Sequence, residues 1–532
     1  MGDGVLANAM GRLLGRAHGW IGRMTDRRSR LNRRMKARAS VNWLAGLTTA
    51  VCGLLAVLIL FVPNYLGMGN DGIASEKMRL YALDYLDDAN PAENETLSED
   101  ATNAYFTRVY EMTELRAGTE FSLQSVLVAA AKALDWLFTQ DRLFDIRFLA
   151  LLYWLLYLPG VYLILKAALE QVTHFSEAVV LCVLGGIIFS DISYIAYFNS
   201  LYADALFYIL LLYMAGCALL MHRESKFQNL YALLLGCACM GFCLTARRGY
   251  LGGIVMAFFL FMELRLIARK RDRVFLICVS GFVLAASVLS FFRASGEFVD
   301  TGKYHAMTRG VLLQSSNPAR TLEDMGISAS YSVLADDSLY EYYPATQLAN
   351  PLIQEEFLSG YSQGDIALHY VSHPGALLSM WDLGVKAAVN LRRDYCGNYE
   401  KSVGMPPMGK SLLCSTWSLF KERSVPRTIG YLMVLAVVVF VTTGRKLLIK
   451  GAGARRADYT FFMTCASLLI LAVADMTYVI MHSGDAQLIQ YNIVPGAAMD
   501  ILLFFVVAQA LHKLNILEDM NRGNLEQNDK DV

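Results

Sequence analysis

Four short polar stretches interrupt an otherwise apolar chain, and they hold the side chains that can do chemistry. GMGNDGIASEKMR (Gly67–Arg79) brings Asn70, Asp71 and Glu76 together. YIAYFNSLYAD (Tyr194–Asp204) supplies Tyr197, Asn199, Tyr202 and Asp204. TARRGY (Thr245–Tyr250) carries the adjacent pair Arg247 and Arg248, and HSGDAQLIQYN (His482–Asn492) carries Asp485, Gln490 and Tyr491. A carboxylate within hydrogen-bond reach can take the proton of a reacting hydroxyl. Amides and hydroxyls can hold a sugar through donors and acceptors. Two guanidinium groups offer a phosphate planar, bidentate donors. A sugar carried on a polyprenyl phosphate has the parts that such a set would recognise. Plainer readings exist for each residue. Asp71 before Gly72 suits a tight turn, and Asp204 and Asp485 suit helix caps. The tyrosines suit an aromatic belt at a membrane interface, and the arginines suit lipid headgroups.

The elements that must position these residues follow from hydropathy. Of the 532 residues 55% are hydrophobic and only 18% are charged, against about 25% charged in soluble domains. Much of the surface is therefore expected to face lipid. Net charge is zero, so bulk charge argues for no nucleic-acid partner. A spanning helix needs about 20 mostly apolar residues, and scanning by that rule gives about ten spans. They run over residues 41–63, 148–166, 176–190, 204–221, 229–245, 251–266, 275–292, 429–443, 459–481 and 492–511. The fold class expected is an all-α polytopic membrane protein. The basic stretches RRSRLNRRMKAR, RLIARKRDR and GRKLLIKGAGARR fall on one side of such an arrangement, which is cytoplasmic by the positive-inside rule. Both termini are expected there, and both long polar segments, 64–147 and 293–427, on the outer face. The domains expected are a basic cytoplasmic tail (1–40), an N-terminal membrane module containing the first outer loop (41–292), an outer helical segment (293–427), C-terminal membrane helices (428–511) and a cytoplasmic tail (512–532). FSLQSVLVAAAKALDWLF (Phe121–Phe138) reads as a helix lying on the membrane surface.

YFNSLYAD, GDAQLIQYN, GVLLQSSNPARTLEDMGI (Gly310–Ile327) and LRRDYCGNYEKSVGMPP (Leu391–Pro407), as an ordered set, resemble bacterial GT-C membrane glycosyltransferases. The group most similar is the hexose transferases of surface-layer and cell-wall glycans. The resemblance implies a GT-C-like fold in the bacterial cytoplasmic membrane, embedded among membrane lipids. It implies a polyprenyl-phosphate-linked sugar as donor and a cell-envelope glycan as acceptor, with no cofactor. It makes Asp71 the candidate base and Glu76 its reserve, both in the catalytic role. Asn70, Tyr197, Asn199, Tyr202, Asp204, Asp485, Gln490 and Tyr491 are then the substrate-binding candidates, with Arg247 and Arg248 on the donor phosphate. Gln490 and Tyr491 stand where the related late motif has a Lys-His pair.

Other features are weaker. His369 and His373 in HYVSH have a spacing that can bind metal on a helix, but no neighbouring Glu completes the motif and no metal is expected. Cys396 and Cys414 are read either as a bridge or as two buried thiols. Two other functions fit the same composition: a ligase or polymerase that moves a whole lipid-linked glycan, and a flippase or transporter for lipid-linked sugars. The second calls for charged groups through the middle of the spans. Asp475 is among the few acids found deep in an apolar run.

Overall fold

The computed structural model describes residues 38–62, 65–69, 77–78, 80–86, 105–113, 122–221, 227–267, 269–295, 300–338, 348, 350–450 and 455–528. Each of the ten apolar stretches is helical, because in lipid the peptide groups must be hydrogen-bonded within the segment. The protein is a mainly helical, polytopic membrane protein. The long helices are α1 (Arg38–Leu60), α2 (Leu123–Thr139), α3 (Arg147–Leu169), α4 (Phe175–Phe189), α5 (Asp204–Leu220), α6 (Gln228–Thr245), α7 (Tyr250–Glu263), α8 (Lys270–Ser295), α9 (Pro374–Val389), α10 (Thr416–Ser424), α11 (Ile429–Val439), α12 (Arg456–Ser483) and α13 (Ile493–Asn528).

The count of straight spans differs from the ten expected. Among the described residues six helices are long and apolar enough to cross a membrane: α1, α3, α6, α8, α12 and α13. The third expected span is broken. After α4 the chain bends by 41° into a short helical piece, Ile192–Asn199. The eighth is entered through α10, which meets Ile429–Gly444 at 107°. α5, at 17 residues, and α7, at 14, are shorter than a full span.

The second long segment, expected to be mostly helical, is so among its described residues, and both long segments also hold short strands. β1 (Leu66–Met68) pairs antiparallel with β5 (Cys396–Tyr399), Leu66 opposite Tyr399. A second sheet has the order β2 (Leu83–Asp84), β3 (Val109–Met112), β4 (Leu143–Asp145). These strands have two to four residues, too few to leave an alternating pattern in the sequence. Gly67 is needed where it stands. A Cβ there would come within 2.4 Å of the Phe106 ring and 2.9 Å of the Asn199 carbonyl.

α2 starts with a capping box between Ser122 and Ser125. It buries Gln124, Val128, Ala131 and Asp135 and exposes Trp136, Leu137 and Phe138. Phe138 stacks on Phe148 at the start of α3, 6.0 Å between centroids.

Buried apolar residues form two cores. The larger runs through the spans and takes in Val385, Leu391, Cys396 and Trp417 from the second long segment. The smaller gathers Tyr304, Met307, Phe357 and Tyr370 against Val479, Ile480 and Leu488. The second long segment is thus divided between the membrane core and a cap on the end of α12. Cys396 and Cys414 are both free thiols. They hold the same loop without a bridge: Cys396 Sγ is 3.8 Å from the Ser193 carbonyl, and the Cys414 carbonyl accepts from Ile192 N at 2.9 Å.

Candidate active site

The bend after α4 leaves the Phe189 carbonyl without a helical partner, and two phenols supply one. Tyr157 and Tyr208 donate to it at 3.0 and 2.8 Å. Asp191 caps the short helix that follows. One carboxylate oxygen accepts from Ser193 N and the other from Ser418 N at the start of α10, both at 2.9 Å. Tyr194 lies flat on Tyr208, 4.3 Å between centroids, and donates to Asp500 on α13 at 2.6 Å. Asp500 also accepts from Trp417 Nε1 at 2.6 Å and pairs with Lys421 Nζ at 2.8 Å. Both charged side chains of that pair are 1% exposed. The polar residues of YIAYFNSLYAD therefore tie a broken span to α10 and α13.

The rest of that stretch reaches the other polar clusters. Asn199 Nδ2 donates to the carbonyls of Leu60 and Leu66 at 3.2 and 2.8 Å, which joins it to the first long segment. Tyr197 OH accepts from Arg393 Nε at 2.7 Å, and the Arg393 guanidinium packs over the rings of Tyr197 and Tyr202. Asp204, in the first turn of α5, accepts from Arg248 Nη2 at 2.7 Å. Arg248 Nη1 bonds Asp475 at 3.0 Å and the Tyr491 carbonyl at 3.1 Å. Its guanidinium carbon lies 4.6 Å from the centre of the Tyr491 ring and 4.9 Å from that of Phe207. All three charged residues of this set are at most 5% exposed. In a low-dielectric interior such charges persist only when paired and hydrogen-bonded.

The residues expected at a site fall in three places. Asp204, Arg248 and Tyr491 meet in the buried set, where Arg248 is committed to two carboxylates and a carbonyl. Arg247 is half-buried, within electrostatic range of Tyr478 and His482. Asp485 lies farther out, in a two-point pair with Arg309 at 2.8 and 2.9 Å. Gly484 beside it has φ +57°, and a Cβ there would sit 2.6 Å from Arg309 backbone. Gln490 is half-buried, and its Oε1 accepts from no described residue. Tyr197 and Asn199 are buried in the wiring just described, whereas Tyr202 borders a pocket. Asn70, Asp71 and Glu76 lie outside the described residues.

That pocket has an empty volume of about 350 Å³, which includes open solvent, and is lined by Met68, Gly69, Lys77, Met78, Tyr85, Thr107, Tyr110, Ser200, Leu201 and Tyr202. Gly69 and Lys77 bracket Asp71 and Glu76 in sequence. The His369 and His373 rings stack at 4.4 Å, His373 Nδ1 sits 3.0 Å from the His369 carbonyl, and among the described residues no third His, Cys, Asp or Glu groups with them to hold a metal. Sequence reasoning missed Asp191, Arg393, Lys421 and Asp500. Asp500 had a readable signal, being an acid in the middle of the apolar run AAMDILLFF.

Residues 32–531 match the family described as the YfdI N-terminal transmembrane domain. The chain belongs to that family. A family of transmembrane domains agrees with the apolar helices, and the chain is a multi-pass membrane protein. No curated protein gives a significant sequence match. Among solved structures the chain is similar to the oligosaccharyltransferase AglB of Archaeoglobus fulgidus in complex with an inhibitory peptide and a dolichol-phosphate. Identity is 14% and the TM-score 0.38, over 90% of this chain and 51% of that one. The apo form of the oligosaccharyltransferase from that organism gives the same identity and TM-score over 91% and 52%. The family member described here thus spans about half the length of those structures, and a TM-score of that size does not establish a common fold.

Proposed function

We propose that this chain is a GT-C-type glycosyltransferase that moves a hexose from a polyprenyl-phosphate donor to a cell-envelope glycan. It would act at the outer face of the bacterial cytoplasmic membrane with both termini in the cytoplasm. One observation carries the reading. A pocket on the polar face is bordered by Tyr202 and by Gly69 and Lys77, the residues that bracket Asp71 and Glu76 in sequence, and the buried Asp204–Arg248–Asp475 set fixes the chain two residues beyond Tyr202. A fixed, hydroxyl-lined cleft supports the reading, because a displacement at a sugar carbon needs the sugar held still.

In this reading Asp71 accepts the proton of the acceptor hydroxyl as that oxygen attacks the anomeric carbon, and Glu76 is the reserve base. Asn70 and Tyr202 contact the sugar. Tyr197 and Asn199 act one layer back by fixing the Tyr202 turn. Asp204, Arg248 and Tyr491 hold that layer, Arg247 is left as the arginine for the donor phosphate, and Asp485 and Gln490 stay substrate-binding candidates.

The test compares envelope glycans from a deletion strain complemented with wild type or Asp71→Asn at equal membrane levels. Loss of a general base should cut the hexose decoration by about a hundredfold or more. Retention by Asp71→Asn but loss in Glu76→Gln moves the base to Glu76. A deletion that leaves every glycan unchanged removes the transferase reading. Accumulation of an undecorated lipid-linked glycan in the deletion strain would favour the ligase.

A further inference from the structure

α2 carries its polar and apolar residues the wrong way round for a helix that faces water. Val126, Ala129, Ala130, Ala133, Trp136 and Leu137 are exposed and recur at helical spacing along one stripe, with Phe138 exposed at its end. The polar side chains lie on the other side: Gln124 and Asp135 are 1% exposed, and Lys132 is half-buried. A helix against water turns its polar face outward, so this stripe calls for an apolar cover. Its position says which. Phe138 stacks on Phe148 in the first turn of α3, and Gln124 Oε1 accepts from the Tyr153 hydroxyl further along that span. The two α3 residues are about 7.5 Å apart along the axis and the two α2 residues about 21 Å, so α2 lies across the end of the span and not along it. Leu123 packs over Gly241, one turn from the polar-face end of α6, where a Cβ would come within 3.3 Å of it. Beyond Phe148 the exposed Leu151 and Leu155 continue down α3, so the stripe runs on into the lipid-facing side of a span.

We infer that α2 lies in the interfacial layer of the bilayer with its apolar stripe against lipid, and from there braces the turns Tyr81–Ala82 and Ser200–Tyr202. The buried side of the helix makes the brace. Gln124 Nε2 donates to the Leu201 carbonyl at 3.3 Å, inside the turn that ends at Tyr202. Lys132 Nζ donates to the Tyr81 and Ala82 carbonyls at 3.0 and 3.3 Å. Ala82 has φ +51°, a left-handed conformation that costs a non-glycine residue about 1–2 kcal/mol, and the ammonium holds it there. Asp135 Oδ2 accepts from Asp145 N at 2.6 Å and so fixes β4. Three side chains thus tie the first long segment and the Tyr202 turn to one helix, and lipid sets the depth of that helix. The state of the leaflet reaches the polar face through it. The lipid contact and the brace stand on this geometry and do not rest on the transferase reading.

The experiment uses the full-length protein labelled with 5-fluorotryptophan in phosphatidylcholine nanodiscs. The chain has six tryptophans, and the ¹⁹F line lost in Trp136→Phe belongs to Trp136. Phosphatidylcholine carrying a doxyl group at carbon 5 should broaden that line more than a water-soluble gadolinium chelate does. Broadening mainly by the chelate overturns the lipid contact, and broadening by neither means that protein covers the stripe, which overturns it as well. The brace is read by hydrogen–deuterium exchange in the same nanodiscs. Gln124→Leu leaves the stripe intact and should speed exchange within residues 198–206 about fivefold, as for one neutral hydrogen bond, with the spans unchanged. Ala133→Glu puts a charge on the stripe and should shift the Trp136 line towards chelate broadening, with faster exchange in both 80–86 and 198–206. A shifted Trp136 line with wild-type exchange in both stretches overturns the brace, and so does wild-type exchange in Gln124→Leu. Neither measurement reads a glycan, so the failure of the transferase reading leaves both results standing.

Discussion

Charges beneath the polar face come in closed sets, whereas those in the layer above it are half open to water. Lys421 and Asp500 are each 1% exposed, and every charged member of the Asp204–Arg248–Asp475 set is similarly enclosed. Arg309 and Asp485, which fasten the second long segment to the end of α12, are 24% and 18% exposed, and Asp336 on the same arginine is 65% exposed. The residue types are the same in both regions, but the solvent differs. In a low dielectric a charge without its partner is expensive, so a set is either complete or lethal to the fold. Near water the same pair is nearly optional. The lower region is therefore scaffold, and the Arg309–Asp485 layer above it can change at little cost to the spans.

The sharpest way to break this contrast is in the lower set. Lys421→Met leaves the Asp500 carboxylate buried among Tyr194 and Trp417, at a cost of about 3–5 kcal/mol. The expected result is loss of monodisperse protein on size exclusion and a large fall in apparent Tm. Lys421→Met combined with Asp500→Leu should recover most of that loss. A single variant as stable as wild type would mean that the set is not closed.

An intermediate effect is expected from His305, in the segment above. It is fully buried, and its pKa is lowered to about 4, by burial first and by Arg309 second, with Asp337 opposing. Its folded-state pKa lies below the unfolded value, near 6.5. The unfolded chain thus takes up a proton first as pH falls. Stability is full above pH 6.5 and declines towards pH 4, by on the order of 3 kcal/mol if the whole shift is realised. Thermal melts from pH 7.5 to 4.5 should show this slope for wild type and a flatter one for His305→Asn. The smallest effect belongs to Asp485→Asn, at about 1 kcal/mol or less. It should appear as faster limited proteolysis within residues 300–338, with little change in the melting of the spans. A large loss there would make the upper layer scaffold too.

Hydropathy made the spans legible. Each of the ten apolar stretches is a helix, because apolar length and helical hydrogen bonding go together in lipid. The break at Ser190–Asp191 was not legible as a bend, although the polar run after it marked the place. The partners of Asp191, Asp204 and Asp500 were hidden as well. Ser418, Arg248 and Lys421 lie far away in sequence, and nothing local encodes such a pairing. Arg248 stood out through its neighbours, and the structure shows what a lone sequence cannot, that its guanidinium is enclosed by two acids. Arg393 was in view within LRRDY but had no assigned role, since its significance lies in the stacking on Tyr197 and Tyr202. Lys77 was read past for the acids beside it. Its place in the lining of the pocket is something only packing reveals.

The pairing of β1 with β5 has a consequence in time. Leu66 lies opposite Tyr399, so the strand that leads into Met68 and Gly69 waits for about 330 further residues to be made, roughly 20 to 70 s at common synthesis rates. During that interval the spans from α3 to α8 can insert while one wall of the pocket has no partner strand. Maturation of the pocket is then among the last events of biogenesis. A chain stalled before residue 396 would be membrane-embedded and helical, yet would lack the strand that pairs with this wall.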